Sequence, residues 1–152
     1  MNDLNFKIRK AKEVDVSQIV DFQLKMAMET ESLELNKTEL KKGVEFVFQS
    51  NLADYFVAEF NGNLIASLMI TYEWSDWRNA IVLWIQSVYV LDKYRRNSVF
   101  SKMYQYVKKI SESSDKYAGI RLYVDKSNKN AIATYHSLGM DNQHYEMFED
   151  MD

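Results

Sequence analysis

Two adjacent arginines, Arg95 and Arg96, lie between an apolar run that ends at Val90 and a helical pattern that begins near Val99. A loop that leads from a strand into a helix exposes unpaired backbone N–H groups and the positive end of the helix dipole, which together favour phosphate. The guanidinium groups add positive charge at the same place. On these residues alone, a solvated basic turn before a surface helix is the stronger interpretation, and a phosphate site is the alternative.

A second segment combines aromatic rings with carboxylates. It contains Tyr72, Glu73, Trp74, Asp76 and Trp77. Aromatic faces and carboxylates can together hold a cation, so the segment predicts an amine-binding site. Trp and Tyr are also enriched at subunit contacts, so a homodimer interface is an equal alternative.

The elements that must position these residues follow from hydrophobic periodicity. Alternation and β-branched runs predict six strands. They are expected at 5–10, 55–60, 64–70, 80–90, 119–124 and 144–148. Asn61 and Gly62 between two apolar runs predict a type I′ hairpin. The segment from Glu73 to Asn79 is expected to be a polar break before the next strand.

Four amphipathic helices are predicted between the strands. The first follows Asp15 as its N-cap, the second begins at Asn36, the third carries Val99 in its apolar stripe, and the last ends at Gly139. The order is therefore β-α-α-β-β-β-α-β-α-β. A hairpin followed by a strand-helix-strand crossover implies an α/β fold with a mixed, largely antiparallel sheet and helices on both faces.

Composition narrows the class of protein. The 152 residues, 47% of them apolar, predict one globular domain over 1–152. A net charge of -3 gives no general electrostatic attraction to nucleic acid or membranes. The sequence has no Cys and two His, so we expect neither disulfides nor a metal site. Without an apolar stretch of about 20 residues, we expect a soluble cytoplasmic protein.

Two blocks of the sequence resemble the GNAT acetyltransferases. That family has Arg/Gln-x-x-Gly-x-Gly/Ala at a helix start, and here Arg95, Ser98 and Phe100 occupy the arginine and the two glycine positions. The run 128–140 is similar to the second block, Asn-x-x-Ala-x-x-x-Tyr-x-x-x-Gly-Phe, with only the last residue changed to Met140. The order of elements also fits the family over the whole chain.

The resemblance implies that acetyl-CoA is the cosubstrate. Backbone groups of one strand would meet the pantetheine arm, the loop and helix start would hold the pyrophosphate, and the second block would add a cap and the tyrosine. The implied cofactor contacts are Val88, Tyr89, Val90, Arg95, Arg96, Asn97, Ser98, Val99, Phe100, Ser101, Asn128, Ala131 and Tyr135.

The resemblance also implies the catalytic roles. The phenol of Tyr135 would donate a proton to the departing thiolate. At the strand position where several members have Glu, this chain has Gln86, which can orient a water but cannot act as a base. Glu73 or Asp76 could serve as that base. We therefore expect an N-acetyltransferase that acts on a primary amine by direct transfer, and a non-catalytic acyl-CoA-binding or regulatory module is the alternative.

Overall fold

The computed structural model describes residues 4–152, which form two compact units, one ending at Arg121 and the other running over Leu122–Asp152. The strands are β1 (Lys7–Lys10), β2 (Ala53–Phe60), β3 (Asn63–Ser75), β4 (Ala80–Val90) and β5 (Tyr117–Leu122). The helices are α1 (Val16–Glu31), α2 (Lys37–Gln49), α3 (Val99–Glu112) and α4 (Lys129–Ser137). The prediction of a single domain over 1–152 stays a prediction.

The five strands form one mixed sheet in sequence order, β1-β2-β3-β4-β5. The first four pair antiparallel. The β2–β3 hairpin turns at Asn61 and Gly62, whose φ values of 52° and 80° are both positive. This turn confirms the predicted type I′ hairpin, since that turn needs two left-handed residues. The connection from β4 to β5 runs through α3, as a parallel crossover requires.

Helices cover both faces of the sheet, as predicted. Tyr55 and Phe56 are neighbours on β2, so their side chains point to opposite faces. The Tyr55 ring packs on Phe48 of α2, with centroids 6.1 Å apart, and the Phe56 ring packs on Tyr106 of α3 at 5.6 Å. The α1 and α2 side carries one cluster of buried apolar residues. Its buried members are Ala11, Ile19, Val20, Val44, Tyr55 and Val57.

Strand β3 is longer than the sequence predicted. It continues to Ser75, so Tyr72, Glu73 and Trp74 belong to a strand, and the turn before β4 is confined to 76–79. The prediction of a polar break from Glu73 was therefore wrong. Antiparallel pairing with β4 holds this polar stretch extended, because backbone hydrogen bonds across the ladder do not depend on side-chain polarity.

Asp15 precedes α1 as predicted, but its carboxylate does not cap that helix. Its oxygens accept hydrogen bonds from the backbone N–H of Lys12 at 2.8 Å and from two guanidinium nitrogens of Arg9 at 2.8 and 3.1 Å. A charged bidentate partner competes successfully with a neutral backbone N–H. Asp15 therefore fastens the start of α1 to β1.

In the second unit, α4 begins and ends as predicted. Asn128 caps it by accepting a hydrogen bond from the backbone N–H of Ala131 at 3.1 Å, and Gly139 follows it with a φ of 89°. The predicted last strand over 144–148 was wrong, because these residues form no strand. Phe148 is 92% exposed. Aromatic residues favour a strand only where a pleated surface is at hand to pack them.

Candidate acyl-CoA site at the start of helix α3

The loop between β4 and α3 contains two left-handed residues that are not glycine. Arg96 has a φ of 65° and Ser98 has a φ of 59°. The amide nitrogen of Asn97 donates to the backbone oxygens of Tyr94 at 3.1 Å and Arg95 at 3.0 Å, which holds the loop in this shape. Ser98 occupies the first glycine position of the motif. Its backbone has the left-handed conformation that favours glycine, although the residue is a serine.

The loop leads into α3, whose first backbone N–H groups have no partner within the helix. The backbone N–H of Lys102 is the one that bonds to Ser98 oxygen, at 3.0 Å, so the N–H groups of Val99, Phe100 and Ser101 precede the first helical bond. The Ser98 hydroxyl makes no capping hydrogen bond to them. An uncapped helix start of this kind fits a phosphate, because its amides and the helix dipole both favour negative charge.

Val99 and Phe100 show how the helix start tolerates large residues. Val99 is 2% exposed and lies in the core. Phe100 is half-buried, and its ring packs on Tyr104 one turn later with centroids 6.4 Å apart. A bulky side chain at the second glycine position is therefore accommodated by packing against the next turn of the helix.

Arg95 and Arg96 differ in their surroundings. The Arg95 guanidinium donates to Glu29 of α1 at 2.6 Å and to the Val90 backbone oxygen at 2.9 Å. Its Nη1 also contacts the Asp92 carboxylate at 3.3 Å. Within residues 4–152, no ion pair or hydrogen bond involves the exposed Arg96 side chain. The two arginines are therefore not equivalent cations: one is committed to the protein, and the other is available to an anion.

Glu29 was not found by sequence reasoning. It also accepts a hydrogen bond from the Tyr89 hydroxyl at 2.8 Å. The Arg95 hydrogen bond holds the pKa of Glu29 below its ordinary value, and burial, together with Glu29, raises the pKa of Tyr89 to about 12. An acidic residue near the end of a helix carries no sequence signal that pairs it with a loop 66 residues later.

Strand β4 bulges at the start of the predicted pantetheine contacts. Ser67 of β3 pairs with Tyr89 and Met69 with Gln86, so two residues of β4 oppose one of β3. Ser87, one of the two, has a φ of 53°, and its carbonyl accepts a hydrogen bond from the buried Gln23 amide at 3.3 Å. The bulge, which the sequence did not reveal, changes the direction of the strand at Val88.

Gln86 lies on β4 beside the bulge. Its amide nitrogen donates to the Thr71 hydroxyl at 2.6 Å, so its orientation is fixed by β3. Thr71 and Glu73 point to the same face of β3, since they are two residues apart. The Glu73 carboxylate contacts the Arg121 guanidinium. The structure thus brings Gln86, Thr71 and Glu73 onto one face of the sheet.

The predicted amine-binding segment is divided between the two faces. Tyr72 and Trp74 point away from Glu73, and Tyr72 donates its hydroxyl proton to Asp54. Trp77 lies in the turn and is 91% exposed. The three aromatic residues and Glu73 therefore do not line a common surface.

The second block of site residues lies in the second unit. Tyr135 is on α4, one turn after Ala131, and burial raises its phenol pKa above the ordinary value. Such a phenol stays protonated at neutral pH. Within residues 4–152, no group of three or more His, Asp or Glu side chains could hold a metal ion. In the same range, no helix is long and apolar enough to cross a membrane.

The loop, the open helix start and the second block can be compared with known proteins. The model of the acetyltransferase (GNAT) family matches residues 23–140, which include all three. The chain belongs to the GNAT acetyltransferase family. Acyl transfer from acetyl-CoA is the chemistry of that family. No curated protein matches this sequence.

Solved structures agree with the family. A "possible acetyltransferase" from Clostridium difficile 630 is 42% identical, with 97% of each chain covered and a TM-score of 0.90. A predicted acetyltransferase from Clostridium acetobutylicum, solved with acetyl-CoA, is 21% identical over 95% of this chain and 96% of that one, with a TM-score of 0.74. Glucosamine-6-phosphate N-acetyltransferase from Arabidopsis thaliana is 19% identical over 97% and 99%, with a TM-score of 0.72. The last two show the fold alone.

Proposed function

We propose that this GNAT protein is an N-acetyltransferase that moves the acetyl group of acetyl-CoA to a primary amine. The observation that carries the proposal is the open start of α3, where Ser98 keeps the left-handed backbone of the family's glycine and leaves three helix amides for a pyrophosphate. Arg96 adds a cation beside them. Val88 to Val90, which begin within the bulge of β4, would meet the pantetheine arm.

Transfer is direct, in a ternary complex with both substrates. Acetyl-CoA supplies the thioester, whose carbonyl carbon the amine nitrogen attacks as the C–S bond breaks. Tyr135 donates its phenolic proton to the departing sulfur. A phenol that is protonated at neutral pH can give its proton to a thiolate, whose ordinary pKa is near 8.5. The chain has no Cys, so no acyl-thiol intermediate on the protein is expected.

The amine must lose a proton before it attacks. Gln86, whose amide is held by Thr71, would orient a water for this purpose. Glu73 lies on the same face of the sheet, and its carboxylate is the candidate for the base. Of the predicted acceptor residues, Glu73 belongs to this face. Tyr72, Trp74 and Trp77 remain candidates for an amine contact or for a homodimer interface.

The candidate acceptors are a polyamine, an amino sugar, an amino acid and a protein terminus. Free-thiol release from acetyl-CoA across a library of such amines tests the proposal. We expect turnover with at least one primary amine and a product acetylated on nitrogen by mass spectrometry. Binding of acetyl-CoA without turnover on any amine would favour the alternative, a non-catalytic acyl-CoA-binding module.

A further inference from the structure

The carboxylate of Glu29 occupies the centre of a network that joins three elements. It accepts from Arg95 of the loop at 2.6 Å and from Tyr89 of β4 at 2.8 Å, and Glu29 itself belongs to α1. The Arg95 guanidinium also lies over the Tyr89 ring, 5.4 Å from its centroid. Tyr89 is 4% exposed and packs on Phe22 of α1. The network therefore has one end buried in the core, at Tyr89, and a partly exposed end at the loop, at Arg95.

This arrangement assigns Arg95 to the protein. Its Nη2 donates to Glu29, its Nε to the Val90 carbonyl and its Nη1 to Asp92, so each guanidinium nitrogen has an acceptor within the chain. Charge-assisted bonds of this kind are among the stronger hydrogen bonds in proteins. Because Glu29 and Asp92 already balance its charge, Arg95 attracts an incoming phosphate less strongly than the exposed Arg96 does.

We infer that Glu29 is a positioning residue for the acyl-CoA loop. It holds Arg95 against α1 and β4, and thereby keeps the left-handed backbone at Arg96 and Ser98 that opens the α3 amides. The choice of CoA as the ligand rests on the proposed function, whereas the hydrogen bonds of Glu29 are independent of it. It places Arg96, and not Arg95, in the role of the phosphate cation.

The positioning role and simple electrostatics predict opposite signs. A carboxylate near an anion site repels the anion, so its removal should tighten binding if Glu29 acts only through its charge. If Glu29 holds the loop, Glu29→Gln should raise the Kd for CoA by about tenfold, the equivalent of one lost charge-assisted hydrogen bond. Pantetheine, which has no phosphate, should bind the variant and the wild type about equally.

The test measures CoA binding by calorimetry and backbone amide exchange of the free protein at Arg95 and Lys102, whose N–H groups bond to the backbone oxygens of Asp92 and Ser98. Glu29→Gln is compared with Glu31→Gln, an exposed residue of the same helix that undergoes the same loss of charge. We expect faster exchange at positions 95 and 102 in Glu29→Gln, with unchanged exchange in the middle of α3. Glu31→Gln should exchange like the wild type at all of these positions. Glu29→Asp, which keeps the charge on a shorter side chain, should have a Kd for CoA between those of the wild type and Glu29→Gln.

A double-mutant cycle separates the network from general destabilisation. In an Arg95→Met background, Glu29→Gln should cause little further change in exchange at positions 95 and 102, because its partner is already gone. Wild-type exchange in Glu29→Gln, or CoA binding as tight as that of the wild type, would overturn the inference. If the wild type binds no CoA, the proposed function fails, and amide exchange still decides the role of Glu29.

Discussion

At the scale of single residues, Ser98 is the clearest departure from the family motif. A residue with a Cβ in the left-handed region costs about 1 kcal/mol relative to glycine, whereas glycine loses a similar amount through the entropy of the unfolded chain. Ser98→Gly should therefore leave the free energy of unfolding unchanged or raise it by up to about 1 kcal/mol. Ser101→Gly, in the first turn of α3, is the control and should lower it by roughly 0.5 kcal/mol. Urea denaturation measures both, and equal losses in the two variants would show that position 98 carries no strain.

Tyr135 carries the prediction on catalysis. Tyr135→Phe keeps the ring and removes the proton donor, so kcat should fall by about 100-fold while acetyl-CoA affinity changes little. Because burial raises the phenol pKa above its usual value, loss of the proton from Tyr135 should not limit the rate at neutral or mildly alkaline pH. Steady-state rates and the melting temperature are measured on one preparation. A normal kcat in the variant would assign the proton to water.

At the scale of elements, Asp15 joins β1 to the start of α1. The hydrogen bond from Arg9 is the main reason that the pKa of Asp15 lies below its ordinary value. A lowered folded pKa means that this contribution to stability is present at neutral pH, above the unfolded pKa of about 3.9, and is lost as the pH falls through the folded pKa. Asp15→Asn should cost about 2 kcal/mol at pH 7, and the difference from the wild type should shrink in acid.

Asp21→Asn is the matched control for that prediction. Asp21 pairs with Lys25 on the exposed face of α1 at 3.0 Å, and exposed pairs of this kind contribute less than about 0.5 kcal/mol. Chemical denaturation from pH 3 to 7 gives both free energies. An Asp15→Asn variant as stable as Asp21→Asn at pH 7 would remove Asp15 as the link between β1 and α1.

The two faces of β3 separate the acceptor hypothesis from the interface hypothesis. Glu73 shares a face with Thr71 and the Gln86 amide, so Glu73→Gln should raise the acceptor KM severalfold without changing acetyl-CoA affinity. Trp74→Ala, on the other face, should leave kinetics unchanged and dissociate any homodimer seen by light scattering. The reverse pattern would place the amine on the aromatic face.

At the scale of the whole molecule, local patterns and family motifs predicted most of the architecture. Asn61-Gly62, the Asn36 and Asn128 caps and the stripe of α3 were predicted correctly, since each depends on residues close in sequence. The features that were missed depend on distant partners. Glu29 meets Arg95 across 66 residues, the β4 bulge is fixed by pairing with β3, and the 144–148 stretch has the composition of a strand without forming one.

The central claim is that the open start of α3 binds acetyl-CoA, and calorimetric titration of acetyl-CoA into the full chain tests it most directly. We expect saturable binding at one site, with an Arg96→Ala variant weakened more at low salt than at high salt, because an exposed cation is screened. Binding should also raise the melting temperature, since the ligand stabilises the native state by mass action. No heat and no thermal shift at millimolar acetyl-CoA would contradict the account.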